Sequence, residues 1–416
     1  MTHRQLHPDS RWLLALLAAL VALGPLSVDV YLPAMPTMMA ALGTDIRHMH
    51  LTLSFYLTGF ALFHLACGPL ADRFGRKPVL IGGTVLFVLA CLGCSFSTTI
   101  DQLLVFRFIQ GIGACVGPTV ARAVARDVFG PTRAARALSL IAMLMALAPA
   151  VAPTMGSILM LWLPWPSIFV FLAVYGAAMV VLIHLYLAES LPARQSLHPL
   201  SIARNYRELL RSPVFIIAAF ASGFVYAGLM AYLSSSSFVY IDMLGVPVQY
   251  FGFIFLTSVA GYMAGSALSA RLSRSYDSER TVLVGAALTA LATATMWVMA
   301  HLFPRSVSAL MLPMMFYSTG MGLVLPNAMA VSLRPFPHIA GTASALMGFI
   351  QMAMSAAVTA VVGRYLVDTP APMLNFIVFI TFLALLLSVP LYRLGSATPH
   401  ATNPQSTPPT TPSTKP

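Results

Sequence analysis

The sequence predicts an all-α membrane protein with twelve transmembrane helices in two six-helix bundles. Three observations carry that expectation. Of 416 residues, 58% are hydrophobic and 8% charged, whereas soluble domains carry roughly 25% charged residues. Twelve apolar stretches recur at the length of about 20 residues that crosses a bilayer. Basic residues are dense in every second connection and sparse in the others, as in chains threaded repeatedly through a membrane.

The stretches run approximately over 12–34, 49–71, 78–97, 101–123, 135–160, 166–188, 213–241, 250–270, 281–301, 307–332, 340–363 and 372–393. The first follows Arg4 and Arg11 as a signal peptide would, yet it is too long and meets Pro33 and Pro36 rather than a small-residue cleavage site. It is expected to be retained. The longest connection, 189–212, separates a bundle at 12–188 from one at 213–393, both starting from the same side as parallel repeats do. A short segment, 1–11, precedes them. The tail 394–416 is Pro/Thr/Ser-rich from Ser396 and is expected to be disordered.

One set of connections and termini holds Arg4, Arg11, Arg73, Arg76, Lys77, Arg122, Arg126, Arg133, Arg136, Arg194, Arg204, Arg207, Arg211, Arg271, Arg274, Arg280, Arg334, Arg393 and Lys415, against Arg47, Arg305 and Arg364 opposite. The excess predicts that both termini are cytoplasmic. The net charge of +11 is thereby assigned to loops facing an anionic leaflet, and no basic face for nucleic acid is indicated. Cys67, Cys91, Cys94 and Cys115 lie inside apolar stretches, where thiols pack as small hydrophobes; the C-x-x-C at 91–94 has no second pair or histidine to make a metal site.

Of twelve acidic residues, Asp29 alone falls well inside an apolar stretch, and an ionisable group there marks a functional hypothesis with a partner to be named. Arg107, in the fourth stretch, lies at similar depth and is the expected partner in proton coupling. Burial raises a carboxyl pKa and a nearby arginine lowers it, the two influences a proton-exchanging acid needs in balance. A permanent ion pair fixing the first helix against the fourth is the structural alternative, and Arg107 binding an anionic substrate group is a third.

Between the second and third stretches stands Gly68-Pro69-Leu70-Ala71-Asp72-Arg73-Phe74-Gly75-Arg76-Lys77-Pro78. This charged tight turn is expected to gate the cytoplasmic side, with Asp72 pairing with Arg122, Arg126 or Arg133 or capping a helix of the other bundle. Arg107-Phe108-Ile109-Gln110-Gly111-Ile112-Gly113 follows in the fourth stretch. In the fifth, small residues and prolines run from Ala148 to Ser157, including Pro149, Pro153 and Gly156; they permit close packing and bend the helix.

These segments resemble the major facilitator superfamily. Residues 68–80 match its signature for the loop between helices 2 and 3, and Arg107, Gln110, Gly111 and Gly113 match the helix 4 signature of its proton-coupled members. Asp29-Val30-Tyr31-Leu32-Pro33-Ala34-Met35-Pro36, Arg126-Asp127, Phe238-Val239-Tyr240-Ile241, Asn327-Ala328-Met329-Ala330 and Phe336–Ala343 are similar to the Bcr/CflA group of bacterial drug:proton antiporters, the bicyclomycin-resistance type. The resemblance covers Ser27 to Arg393. It implies the major facilitator fold in a bacterial inner membrane, exporting drug as protons enter. The sequence departs from the family's helix 5 antiporter pattern at three glycine positions, which hold Ala148, Ala152 and Ser157.

Candidate substrate-binding residues are Tyr31, Tyr56, His64, Gln110, Tyr226, Asn327 and Gln351, set among the 24 Met and 25 Phe that supply adaptable apolar walls. Tyr232 is a further aromatic candidate. The expected partners are a small-molecule substrate, protons and the bilayer, in a monomer with no cofactor beyond the proton gradient and no metal. One intramembrane carboxylate does not make an enzyme site. ATP-driven export has no phosphate-binding G-x-x-x-x-G-K-[ST] loop to support it. A proton-coupled symporter, or an exporter of a small metabolite, is the alternative to drug antiport.

Overall fold

The computed structural model describes residues 10–191, 199–273, 275–366 and 369–396. Among them, helices make up nearly all the ordered chain. The first crossing is broken: α1 (Arg11–Asp29) is followed by a 3₁₀ turn (Leu32–Ala34) and α2 (Met35–Ala41). Pro33 and Pro36 therefore interrupt this crossing, which continues to Ala41 instead of ending near 34, because each ring removes one backbone donor and the chain re-forms a helix beyond it.

The chain continues through α3 (Ile46–Phe74), α4 (Arg76–Ser95), α5 (Ile100–Trp162) and α6 (Pro166–Tyr186). The expected fourth and fifth crossings are the two limbs of α5, divided at Gly130, whose φ of 64° and ψ of 173° suit a residue without Cβ. Pro131 follows at the first position of the second limb, where its missing N–H costs nothing. An amphipathic connecting helix α7 (Pro199–Leu210) realises the polar-apolar stretch read around Tyr206, and the Tyr206 hydroxyl donates to the Leu65 carbonyl of α3 at 3.3 Å.

The second bundle contains α8 (Pro213–Ser237) continued by a π-helical turn (Phe238–Met243), then α9 (Val248–Leu272), α10 (Ser278–Leu302), α11 (Val307–Leu333), a 3₁₀ turn (Pro337–Ile339), α12 (Ala340–Tyr365) and α13 (Ala371–Ser396). Among the described residues eleven helices are long and apolar enough to cross a membrane, and Val151–Trp162 is a shorter apolar helix on the second limb of α5. The chain is an all-α, multi-pass membrane protein with about twelve crossings. Residues 397–416 of the expected disordered tail, and 192–198 of the central connection, lie outside the described residues.

The face on which α1 begins is called here the near face, and its opposite the far face. The bundles meet along α3 against α12 and the second limb of α5 against α9; near the far face, the 3₁₀ turn after α1 touches α8 and α2 touches the π-turn. Within the first bundle α3 and α5 approach until a Cβ on Gly59 would lie 2.1 Å from the Phe108 carbonyl oxygen and one on Gly111 2.0 Å from that of Tyr56. Such contact is how membrane helices pack without a hydrophobic drive between them.

Candidate functional site

The close approach of α3 and α5 builds a cage around Arg107, which is completely buried. Its guanidinium lies 4.4 Å from the Tyr31 ring centroid, 4.5 Å from that of Tyr56 and 6.0 Å from that of Phe169. Desolvated cation–π contacts contribute about 2 kcal/mol each. Nη1 donates to the Ser27 carbonyl at 3.2 Å and to Gln110 Oε1 at 2.6 Å, while Gln110 Nε2 donates to Cys91 Sγ at 3.0 Å. The tyrosines are held in turn. Tyr56 donates to the Gly24 carbonyl at 3.1 Å. Thr52 gives its proton to the Met49 carbonyl at 2.6 Å, so the Tyr31 hydroxyl is the donor in its 2.5 Å contact with Thr52 Oγ1. Nε and Nη2 of Arg107 are buried without a protein partner, which leaves open the edge that can hold an acceptor by two parallel bonds.

Asp29 does not fill it. The permanent Asp29–Arg107 ion pair, read as the structural alternative, is not formed: among the described residues no such bridge exists, although Asp29 is only 4% exposed. The depth expectation stands, because Arg107 touches Ser27 and Tyr31 on either side of Asp29 in the chain. The face differs. Ser27 and Tyr31 are four residues apart and share one side of the helix, whereas Asp29 is about 200° round from Ser27. Asp29 instead interacts electrostatically with Tyr226 of α8, in the other bundle.

Tyr226 also interacts with Arg122 of α5, as does Tyr262 of α9. Arg122, counted above with the connections, stands eight residues inside the crossing Ile100–Gly130, where it is exposed and within Coulombic reach of these two tyrosines of the opposite bundle. Asp29, Tyr226, Tyr262 and Arg122 thus put polar groups on both walls of the space between bundles.

The other candidates separate into groups. Gln351 Nε2 donates to Ser222 Oγ at 3.2 Å across α12 and α8. Asn327 donates to Ser269 Oγ at 2.7 Å and to the Leu323 carbonyl at 2.8 Å, tying α11 to α9. His64 continues the line of Tyr56 and Phe60, with successive ring separations of 6.3 and 5.8 Å, and abuts Gly348 of α12. Tyr232 donates or accepts at 2.7 Å from Tyr240. In the fifth-crossing motif, Pro153 and Gly156 are buried and Pro149 is half-buried; a Cβ on Gly156 would meet the Val30 carbonyl oxygen at 2.2 Å, so this glycine lets α5 touch the backbone at the end of α1, beside Asp29.

At the near face, Gly75 (φ 107°) divides α3 from α4. Asp72 pairs with Arg76 at 2.6 Å, and Arg76 Nε reaches Asp127 of α5 at 3.1 Å. Among the described residues Asp72 pairs with neither Arg122 nor Arg126, two of the three arginines read as its partners. Of these, Arg126 is exposed and the Arg133 side chain lies outside the described ones. Arg73 covers the Phe74 ring at 5.3 Å. Gly68 has open space beside its Cα. Glu189, read only as part of a connection, accepts the Arg76 and Lys77 backbone N–H groups at 2.9 and 3.2 Å, placing a carboxylate on the N-terminus of α4; Lys77 Nζ donates to the His184 carbonyl at 2.9 Å. The glutamate follows the last residue of the sixth crossing closely, the one signal that placed it at this face. Among the described residues no cluster of three or more His, Cys, Asp or Glu could hold a metal.

A fold of two six-crossing bundles around a polar seam defines a secondary transporter. Residues 17–360 match the family model of the Major Facilitator Superfamily, and the chain belongs to that family. It is 32% identical over 386 residues to the MFS-type transporter YdgK of Bacillus subtilis, covering 92% of this chain and 95% of that one. It is 30% identical over 373 residues to the multidrug resistance protein MdtL of Shewanella oneidensis (89% and 92% covered), and 28% identical over 365 residues to a bicyclomycin resistance protein homolog of Haemophilus influenzae (86% and 90%). The crystal structure of the nucleoside transporter NupG superposes with a TM-score of 0.74 at 13% identity, over 92% of this chain and 99% of that one. These findings bear out the resemblance read from the motifs, and the protein is a transporter and not an enzyme.

Proposed function

We propose that the protein exports small apolar or amphipathic compounds, antibiotics among them, across a bacterial inner membrane in exchange for protons, with the near face cytoplasmic. The observation that carries the reading is Asp29: a buried carboxylate, without an ion pair among the described residues, on the side of a broken crossing that faces the opposite bundle. A carboxyl held away from a permanent counter-charge is free to change protonation as the bundles move. Arg107 keeps a positive charge at the same depth, with two donors open to an acceptor, and serves the reading as the charge that favours the ionised form of Asp29 against the opposing influence of burial. The names of the MdtL and bicyclomycin-resistance relatives support drugs as the cargo, and the basic near-face loops support the orientation.

Each inward proton supplies about 2.3 kcal/mol per 100 mV and about 1.4 kcal/mol per pH unit. One proton per neutral compound sustains a gradient of roughly a hundredfold, about 2.7 kcal/mol. The deciding experiment uses acid-loaded inside-out vesicles and a panel of bicyclomycin, an amphenicol and a sulfonamide. Addition of a transported compound releases protons in the native protein, and Asp29→Asn abolishes both that release and uphill transport while retaining compound binding. An intact pH gradient during transport by the native protein refutes exchange.

A further inference from the structure

His50 lies in the second turn of α3 and is fully buried. Its ring stacks on Phe238, the first residue of the π-turn in the other bundle, with centroids 5.8 Å apart and planes at 21°. On its other side α12 presents Gly363, where a Cβ would stand 2.3 Å from that of His50. One helix of the first bundle and two elements of the second thus close on this imidazole, four residues along the same seam from Ser54, whose hydroxyl donates to the Ala356 carbonyl at 2.7 Å.

Neither buried ring nitrogen has a hydrogen bond of good geometry among the described residues; the Thr359 backbone of α12 lies close to the ring. The titratable and charged groups on the elements around the ring are Asp45, Arg47 and His48 on and before α3, Tyr240 and Asp242 on the π-turn, and Arg364 and Tyr365 at the end of α12; α2 has none. Asp45 is taken by His48 and the Tyr240 hydroxyl by Tyr232. None makes a hydrogen bond or ion pair with His50 among the described residues.

We propose that His50 is a second proton-binding site, separate from Asp29, whose occupancy holds the far-face seal open. The sealed arrangement has room for a flat neutral ring and offers a charged one neither counter-ion nor hydrogen bond among the described residues, and unpaired charge in such a place is strongly disfavoured. With the bundles parted, the ring meets water and takes a proton from it in the range where imidazoles titrate. Closure must return that proton to the far-side solution before Phe238 and Gly363 close on the ring. The sign follows from linkage: closing releases one proton, so below the open-state titration each unit fall in pH disfavours the sealed state tenfold. On the orientation proposed above, an acidic exterior would hold the transporter open to the side from which protons load.

The test needs no substrate, so its failure and that of drug export are distinguishable. Thr98→Cys and Arg305→Cys place spin labels at exposed far-face positions of the two bundles, and the four native cysteines are buried. In an Asp29→Asn background, so that the first site is silent, electron–electron distance measurements between pH 8 and 5 should show the longer, open distance gaining up to tenfold over the short one per pH unit. Absence of any pH response in this protein overturns the proposal by itself. His50→Gln and His50→Phe, each required to be monodisperse, should remove the response, His50→Phe by holding the short distance at every pH because its ring still stacks on Phe238. Persistence of the response in either variant also overturns it.

Discussion

Gly156 gives the sharpest test of how the second limb of α5 positions Asp29. A methyl group there would lie 2.2 Å from the Val30 carbonyl oxygen and 2.8 Å from Pro33 Cγ, against ordinary contact at 3.4–4 Å. The obstacle is backbone, which cannot rotate aside as a side chain does, so α5 and the broken end of α1 must part by more than 1 Å. Overpacking of this kind costs about 1–3 kcal/mol, and the better helix propensity of alanine offsets about 1 kcal/mol of it. Gly156→Ala is therefore expected to lose about 0–2 kcal/mol net, which places it about 1–3 kcal/mol below an alanine substitution that meets no obstacle. Gly82→Ala, in α4 with nothing within 4 Å of its would-be Cβ, receives the propensity gain alone. All four cysteines are buried, so a thiol-reactive fluorophore reports unfolding directly on heating. The melting temperature should fall for Gly156→Ala and hold or rise for Gly82→Ala, and export should fall only in the former. If Gly156→Ala melts at or above Gly82→Ala, the inferred contact does not constrain the helices.

Arg107→Lys should lose most transport, because an ammonium retains the charge but not the planar group shared by Tyr31, Tyr56 and Gln110; wild-type export by this variant would reduce the cage to a point charge. Asp72→Asn removes a partly exposed pair worth at most about 1 kcal/mol, so abundance and melting should be unchanged while transport falls and near-face cysteine probes label faster; unchanged labelling and transport would confine Asp72 to its local turn. Reporter fusions at Gln195 and after Arg393 should both read cytoplasmic, and a periplasmic signal from either contradicts the orientation. Asp45 accepts the His48 backbone N–H at 2.8 Å, and that bond and His48 itself hold its carboxyl below the ordinary range. Its contribution is present at neutral pH and is lost as pH falls through the lowered pKa, so the deficit of Asp45→Ala, about 1 kcal/mol for an N-cap, should shrink below about pH 4 in thermal melts taken across that range.

Much of the architecture was legible because it follows from short-range physics. A crossing must satisfy its own backbone in lipid, so its length and apolarity are written continuously in the chain. Gly75 and Gly130 mark breaks because their positive φ values suit a residue without Cβ. The first crossing was read too short: Pro33 and Pro36 look like an end, and only packing of α2 against the π-turn shows that a helix resumes.

The sequence by itself determined the class of protein, the number and alternation of its crossings, and that Asp29 and Arg107 lie inside them, since each is a property of local composition measured against the thickness of a bilayer; Arg122, nearer a crossing's end, it assigned to a connection. It also set Asp29 and Arg107 at one depth, because rise per residue is constant along a helix. Tertiary structure alone decided what those groups face. A few degrees of helix rotation and the partner helix chosen across the seam turned Asp29 to Tyr226 and closed two tyrosine rings on Arg107. They also brought Arg76 between Asp72 and Asp127, and enclosed His50 between Phe238 and Gly363. Azimuth and partner choice depend on all the packed surfaces at once, and no window of sequence contains them.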